Sequence, residues 1–186
     1  QFRVDADETF TLNSPMRVRG ATKPVKSGAG TWAVGGSVAV FDSGTPELTV
    51  SEGFLQADNA RAFENIKVIV ADGAGISARF DPAASAERAE YGMLVTDAAK
   101  FSLAGDSLVF RAAADGTALK RKDRVVLLTV PAATAAAIDA KTVTLTTAAT
   151  GWMSNLVREN VTVGDQPFVR YVAEFRRDTG MILIFR

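Results

Sequence analysis

The densest group of chemically useful side chains is a basic run in the second half of the sequence, Lys120-Arg121-Lys122-Asp123-Arg124. Clustered cations attract uronate or sulfated glycans through charge, and exposed aromatic rings stack on the faces of sugars. The sequence therefore predicts a glycan-binding site composed of Trp152, Tyr171, Lys120, Arg121, Lys122 and Arg124. A solvated loop is the competing interpretation, and a basic run beside the Asp115-Gly116 turn favours it.

The aromatic residues do not all point to the same role. Trp32 occupies an apolar position of a strand pattern, which predicts core packing and weak quenching of its fluorescence by iodide. Trp152 follows Gly151 at the start of a strand. For Trp152, Tyr91 and Tyr171, the sequence leaves core packing and sugar stacking equally open.

The chain contains no His and no Cys. This composition excludes Ser-His-Asp and Cys-His nucleophiles, disulfides, and zinc sites made from thiolates or imidazoles. Asp residues recur at positions that suit turns better than calcium binding, and the nonapeptide calcium repeat is absent. They are Asp72, Asp81, Asp97, Asp106, Asp115 and Asp123. The sequence therefore predicts no catalytic residue, no metal site and no cofactor.

Charge and hydropathy exclude further classes of function. The 186 residues include 21 basic and 21 acidic side chains, so the formal net charge is zero. Such a chain lacks the basic footprint of a nucleic-acid or anionic-membrane binder. No apolar run approaches the roughly 20 residues of a membrane-spanning helix. A start at Gln1 without a recognisable signal peptide predicts a processed piece of a longer polypeptide.

Alternation of apolar and polar residues dominates the sequence and predicts strands. The first group of predicted strands covers 9–12, 16–19, 31–34, 37–41, 48–50, 53–57, 66–71, 76–80, 92–96, 101–103 and 107–111. The continuous apolar run Val125–Val130 predicts a central strand that is buried on both faces. Strands recur about every 10 residues, which is typical of solenoids and of β-sandwiches alike.

Three segments interrupt this pattern. Ala57–Asn65 allows one or two helical turns, Pro82–Glu90 predicts a short helix with Pro in its first turn, and the Ala-rich segment Pro131–Ala140 predicts the best helix. Beyond Thr142, the runs are longer and are joined by short Gly-containing turns, which predicts an antiparallel meander. These runs lie at 143–147, 152–158, 168–177 and 181–186.

Two Gly-rich units carry a resemblance to a known family. In Lys26–Gly36 the pattern is Gly-x-Gly-Thr-apolar-x-apolar-Gly-Gly, and in Glu47–Ala57 it is Leu-Thr-Val-x-x-Gly-x-Leu-Gln. In this order the units resemble the autotransporter-associated β-strand repeat. The resemblance is best over Lys26–Ala57 and extends loosely to Val130. It implies a right-handed parallel β-helix and a noncatalytic passenger, a rigid stalk or adhesive surface outside a Gram-negative cell.

The combined prediction is an all-β chain. Residues 1–141 are expected to form β-helix rungs with short helical insertions, and residues 142–186 a C-terminal antiparallel β cap. The expected function is structural or adhesive, on a bacterial surface or in a secreted protein. The expected partners are glycans, host or matrix proteins and the upstream part of the same polypeptide. Neither nucleic acid nor insertion into a membrane is expected.

Two other functions stay open. The first is a carbohydrate-active β-helix of the polysaccharide-lyase kind, or the glycan-binding accessory part of such an enzyme. The second is a structural module of a phage tail or fibre, and obligate trimerisation in solution would favour it.

Overall fold

A computed structural model of the chain describes residues 1–40 and 44–177, and β-strands dominate it. The strands are β1 (Phe2–Arg3), β2 (Thr9–Leu12), β3 (Met16–Val18), β4 (Val25–Ser27), β5 (Thr31–Val34), β6 (Val38–Val40), β7 (Glu47–Val50), β8 (Phe54–Ala57), β9 (Lys67–Val70), β10 (Gly75–Arg79), β11 (Met93–Leu94), β12 (Phe101–Leu103), β13 (Ser107–Ala113), β14 (Arg124–Pro131), β15 (Thr142–Ala148), β16 (Trp152–Val163) and β17 (Gln166–Arg177). Two α-helices, α1 (Ala86–Tyr91) and α2 (Ala132–Asp139), and the short 3₁₀ helix η1 (Ala98–Lys100) complete the described elements.

Most strand pairs in this part of the chain are parallel. Sheet 1 has the order β1-β4-β7-β9-β12, and sheet 2 has the order β15-β13-β10-β8-β5-β2. Sheet 3 has the order β11-β14-β17-β16, and β3 pairs with β6 alone. All described pairs in sheets 1 and 2 are parallel, whereas β14, β17 and β16 run antiparallel. These pairings confirm the all-β class.

Successive strands along the chain belong to different sheets. From β1 to β6 the order is sheet 1, sheet 2 and the β3–β6 pair, followed by the same sequence again. From β9 to β14 the order is sheet 1, sheet 2 and sheet 3, again repeated once. Each sheet is thus assembled from strands that are distant in the sequence.

The core is organised by the register of sheet 2. Trp32 pairs with Leu55, Leu55 with Ile76, and Ile76 with Phe110 across successive parallel strands. All four side chains are fully buried. Because side chains alternate between the two faces of a strand, the residues on either side of each core position face outward. The predicted burial of Trp32 is confirmed.

The predicted central strand is also confirmed, because β14 has β11 on one side and β17 on the other. The segment Pro131–Ala140 forms α2 as predicted, with Pro131 as its N-cap. The predicted helix Pro82–Glu90 is shorter in the structure, where α1 begins at Ala86. Ser85 is its N-cap, and the Arg88 amide donates to the Ser85 hydroxyl.

Two segments differ from their predictions. Residues 58–66 form successive tight turns instead of a helix. Strand β15 was expected in the antiparallel meander, but it pairs parallel with β13 over its whole length, from Thr142 opposite Ser107 to Ala148 opposite Ala113. Hydrogen bonding to β13 extends sheet 2 by one more strand. The predicted strand 181–186 lies outside the described residues, as does the end of the predicted strand 37–41.

A buried lysine joins two turns near the start of sheet 1. The Lys26 side chain is fully buried, and its ammonium group donates to the carbonyl oxygens of Gly28, Gly30 (2.6 Å) and Glu52 (2.7 Å). The Glu52 carboxylate in turn accepts from the Gly28 amide at 3.0 Å. Burial lowers the pKa of Lys26 from 10.5 to about 8, and the charge of Glu52 opposes this shift.

Gly92 connects α1 to β11, and a side chain is expected to be costly there. Its φ is +59°, and a Cβ atom would overlap the backbone carbonyl of Val126. Gly92→Ala is expected to lower the free energy of unfolding by about 1–3 kcal/mol, through backbone strain and this overlap. Urea denaturation measures the change. Gly73 is the control, because its φ is also positive (+71°) but an added Cβ atom would meet no other atom within 4 Å. A loss of stability in Gly73→Ala that equals or exceeds that of Gly92→Ala would contradict the role of the Val126 contact.

Candidate functional site

A polar groove crosses the outward face of sheet 2. This outer groove has a volume of about 370 Å³. Strands β2, β5, β8, β10 and β13 contribute outward-facing residues to it, and the segments after β10 and β13 close one end. The lining consists of Thr9, Thr11, Thr31, Gln56, Asp58, Ser77, Arg79, Phe80, Asp81, Pro82, Arg88, Arg111, Ala113, Asp115 and Ala118.

The floor of the outer groove is a set of polar side chains bonded to one another. Ser77 lies opposite Gln56 in the parallel register, and its hydroxyl is 3.4 Å from Gln56 Oε1. The Gln56 amide donates to Asp58 Oδ1 at 2.8 Å. Gln56 and Ser77 are 6% and 2% exposed, although they face away from the core. Their polar atoms are therefore held in place before any ligand arrives.

Two arginines in the outer groove already have partners. The Arg88 guanidinium lies 3.1 Å from Asp58 and 3.6 Å from Asp81, and it also donates to the Arg79 carbonyl oxygen at 3.1 Å. Arg111 extends from β13 over the Phe54 ring, 5.2 Å from its centroid, and donates to Thr31 Oγ1 at 3.3 Å. Arg111 therefore spans the two strands between β13 and β5.

Arg79 differs from these two. Its side chain is exposed and makes no hydrogen bond or ion pair with the residues that the structure describes. The charge of Arg79 acts on Asp115. The pKa of Asp115 is lowered, chiefly because the amide and hydroxyl of Thr117 donate to its carboxylate, and Arg79 adds a smaller effect. Asp115 is thus ionised at neutral pH, and the Arg79 guanidinium is available to an incoming anion.

The predicted basic run forms an exposed turn beside the closed end of the groove. The Lys120 amide donates to Asp123 Oδ2 at 2.7 Å, and the Lys122 amide donates to the Phe175 carbonyl at 3.0 Å. Phe175 packs edge-on against Phe80 of the outer groove, with ring centroids 6.3 Å apart. The backbone of this basic turn, Lys120–Lys122, is therefore held against β17 next to the groove.

The side chains of the basic turn point to solvent. Lys120, Arg121 and Lys122 are exposed and form no ion pair within the described residues. Arg124 is different, because it pairs with Glu159, which also binds Arg170 at 2.8 Å. The Arg124 bond is the largest cause of the lowered pKa of Glu159. Of the predicted cations, three are free for a ligand and Arg124 is partly committed to the fold.

Trp152 lies beside the turn that follows β13, at Gly116. Its indole Nε1 donates to the Gly116 carbonyl at 3.0 Å, and the guanidinium of Arg177 lies 5.9 Å from its ring centroid. The side chain is partly buried. The structure thus brings Trp152 close to the turn that closes the outer groove.

Tyr171 requires a correction. It is 2% exposed, and its hydroxyl donates to Asp139 Oδ1 at 2.7 Å and lies 3.3 Å from the Ala135 carbonyl oxygen. Its ring packs 5.3 Å from that of Phe110. Burial, and next Asp139, raise the pKa of the Tyr171 phenol well above its ordinary value. Because α2 covers this face of β17, Tyr171 is not available for stacking on a sugar.

Sequence reasoning missed the outer groove. Its polar residues are single outward positions in separate strands, such as Thr11, Gln56, Ser77 and Arg111. Aligning the strands by their buried Trp32, Leu55, Ile76 and Phe110 positions would have placed the last three of these in one row. The intervals between these residues along the sequence are unequal, so no repeating pattern indicates the row.

The described residues were also compared with the patterns of metal sites and membrane-spanning helices. Among them, no group of three acidic side chains is arranged to hold a metal ion, and no helix is long and apolar enough to cross a membrane. Comparison of the chain with protein-family models, with curated proteins and with solved structures found no match. The geometry of the groove and the basic turn therefore carries the functional argument.

Proposed function

We propose that the parallel sheets are the faces of a right-handed parallel β-helix, closed at one side by the β16–β17 hairpin. The support is the order in which consecutive strands visit the sheets, together with the uninterrupted parallel register of sheets 1 and 2. Such an arrangement buries one column of side chains and presents the alternate positions as a continuous outer surface. The resemblance of Lys26–Ala57 to the autotransporter-associated repeat is in keeping with it.

The proposed function is noncatalytic binding of glycans by a segment of a secreted or surface-exposed bacterial passenger. The observation that carries this proposal is the outer groove, whose floor consists of polar side chains that are already hydrogen-bonded to one another. Neighbouring strands are about 4.8 Å apart, a spacing comparable with one sugar residue of an extended chain. A glycan lying across the strands would therefore meet a polar side chain on four of the five groove strands, at Thr11, Gln56, Ser77 and Arg111.

The proposed protein partner is the upstream part of the same polypeptide. Phe10 lies opposite Trp32 in the parallel register but is 48% exposed, because β2 is the edge of sheet 2 among the described strands. Phe2 stacks on Trp32 at 5.0 Å and is 42% exposed. An added parallel strand would cover Phe10 and satisfy the free edge of β2.

A carbohydrate-cleaving function is the second candidate, because Asp58, Asp81 and Asp115 all line the outer groove. Paired carboxylates are the usual machinery of glycoside hydrolysis. Asp58 and Asp81, however, share the Arg88 guanidinium, and Asp115 accepts from the amide and hydroxyl of Thr117. Each of these carboxylates thus has a structural partner, which favours binding over catalysis.

A glycan and mucin array, with product analysis of the same samples, tests this function. Specific binding without shortened glycans is the expected result. Thr9→Val combined with Thr11→Val removes two exposed groove hydroxyls at nearly constant shape, and is expected to lower affinity for the best glycan about tenfold. The matched control is Thr142→Val with Thr144→Val, which changes exposed positions of β15 outside the groove lining.

The alternatives have distinct outcomes in this experiment. Absence of binding to any glycan, or equal losses in the two double variants, would refute the groove as the binding surface. Shortened glycans would establish the carbohydrate-cleaving function instead.

A further inference from the structure

We propose that the glycan bound by the outer groove is a polyuronate, a sugar chain that carries regularly spaced carboxylates. This inference rests on the proposed glycan function and adds the chemical class of the ligand. It assigns Arg79 as the residue that binds a carboxylate in the groove, and the basic turn as a second anionic subsite.

Two of the three groove arginines already have partners within the described residues. Arg88 is paired with Asp58 and Asp81, and its side chain is only 14% exposed. Arg111 is held by the Phe54 ring and the Thr31 hydroxyl. Arg79 has no such partner in the described part of the chain, and it is exposed. A planar guanidinium with free donors matches a carboxylate in a two-bond geometry.

The acidic side chains of the groove leave Arg79 without an ion pair among the described residues. Asp115 is the one groove carboxylate without an ion pair within the described residues, and two bonds from Thr117 occupy its Oδ1 atom. The lining carries three arginines and three aspartates, so its formal charges cancel, but Asp58 and Asp81 both lie on Arg88, and the donors of Arg79 have no partner among the described residues. A carboxylate of a ligand can use these donors in a charge-assisted bond, whereas a neutral glycan cannot.

The basic turn lies just beyond the closed end of the outer groove. Asp115 and Ala118 line the groove, and the next exposed residues of the chain are Lys120, Arg121 and Lys122. Bonds to Phe175 and Asp123 fix this turn, and Phe80 joins Phe175 to the groove. A chain that passes over the closing segment at this end therefore meets three cations that form no ion pair within the described residues, which favours a ligand with a charge on successive sugars.

The test compares oligogalacturonate with its fully methyl-esterified form, titrated calorimetrically into the purified chain. The two probes share ring and linkage and differ in charge. The wild-type chain is expected to bind the acid form at least about tenfold more tightly. Arg79→Gln is expected to weaken the acid form about tenfold and to leave the ester unchanged, with Arg79→Lys in between. Arg3→Gln, a highly exposed arginine outside the groove, is the control.

The basic turn has its own readout. In Lys120→Gln with Arg121→Gln, added salt is expected to weaken binding of the acid form less steeply than in the wild type, because fewer ion pairs are screened. Equal affinity for acid and ester, with no effect of Arg79→Gln, would overturn the polyuronate inference. If Thr9→Val with Thr11→Val still weakened both probes, the proposed glycan function would stand. Failure of both probes and of every arrayed glycan would overturn both.

Discussion

Trp32→Ala is expected to lower the free energy of unfolding by about 3–5 kcal/mol. The indole is fully buried at the β5 end of the sheet 2 core column, between Phe10 of β2 and Leu55 of β8 in the register. Removing it leaves a cavity that the neighbouring parallel strands cannot close, since their spacing is set by backbone hydrogen bonds. Urea denaturation followed by circular dichroism measures the change.

Two further variants make this prediction specific. Trp32→Phe is expected to cost much less, because it keeps most of the apolar volume and removes an indole N–H that has no hydrogen-bond partner in the described residues. Trp152→Ala removes a partly buried indole with one bond to Gly116, so its loss is expected to be smaller than that of Trp32→Ala. A loss for Trp152→Ala that equals or exceeds it would show that the core column is not the main source of stability.

Lys26→Met is expected to lower the free energy of unfolding by about 2–4 kcal/mol at neutral pH. The ammonium group satisfies the carbonyls of Gly28, Gly30 and Glu52, and the thioether cannot replace these bonds. The Gly30 carbonyl keeps its bond from the Phe54 amide. The other two carbonyls have no second partner in the described residues, so their desolvation is no longer compensated.

The same lysine makes stability depend on pH in a defined direction. The pKa of Lys26 is lowered from 10.5 to about 8 in the folded chain, chiefly by burial. Between these two values the unfolded chain binds more protons than the folded one, so the Lys26 contribution to the free energy of unfolding rises with pH. The expected rise is about 3 kcal/mol, and below pH 8 the contribution is flat.

Denaturation curves of the wild type and Lys26→Met at several pH values check this expectation. The difference between their free energies of unfolding should widen from pH 8 to pH 10.5. Lys120→Met, at an exposed position, is the control and should track the wild type. A constant difference between wild type and Lys26→Met across this range would mean that the buried ammonium keeps its ordinary pKa.

The sequence by itself determined the local elements. Period-two alternation placed β5, β7 and β10, the unbroken apolar run gave β14, and an Ala-rich segment after Pro131 gave α2. The burial of Trp32 followed from the same alternation. These features depend on residues a few positions apart, whose preferences survive in almost any fold.

Only the tertiary structure decided which strands are neighbours and what they leave exposed. Tyr171 has the same local pattern as a surface aromatic, but the packing of α2 on β17 buries it. Likewise β15 joins β13 in parallel, a pairing that spans 35 positions at its first residue pair and has no local signature. The outer groove arises in the same way, because Gln56, Ser77 and Arg111 become adjacent through hydrogen bonds between strands and through no spacing that the chain displays.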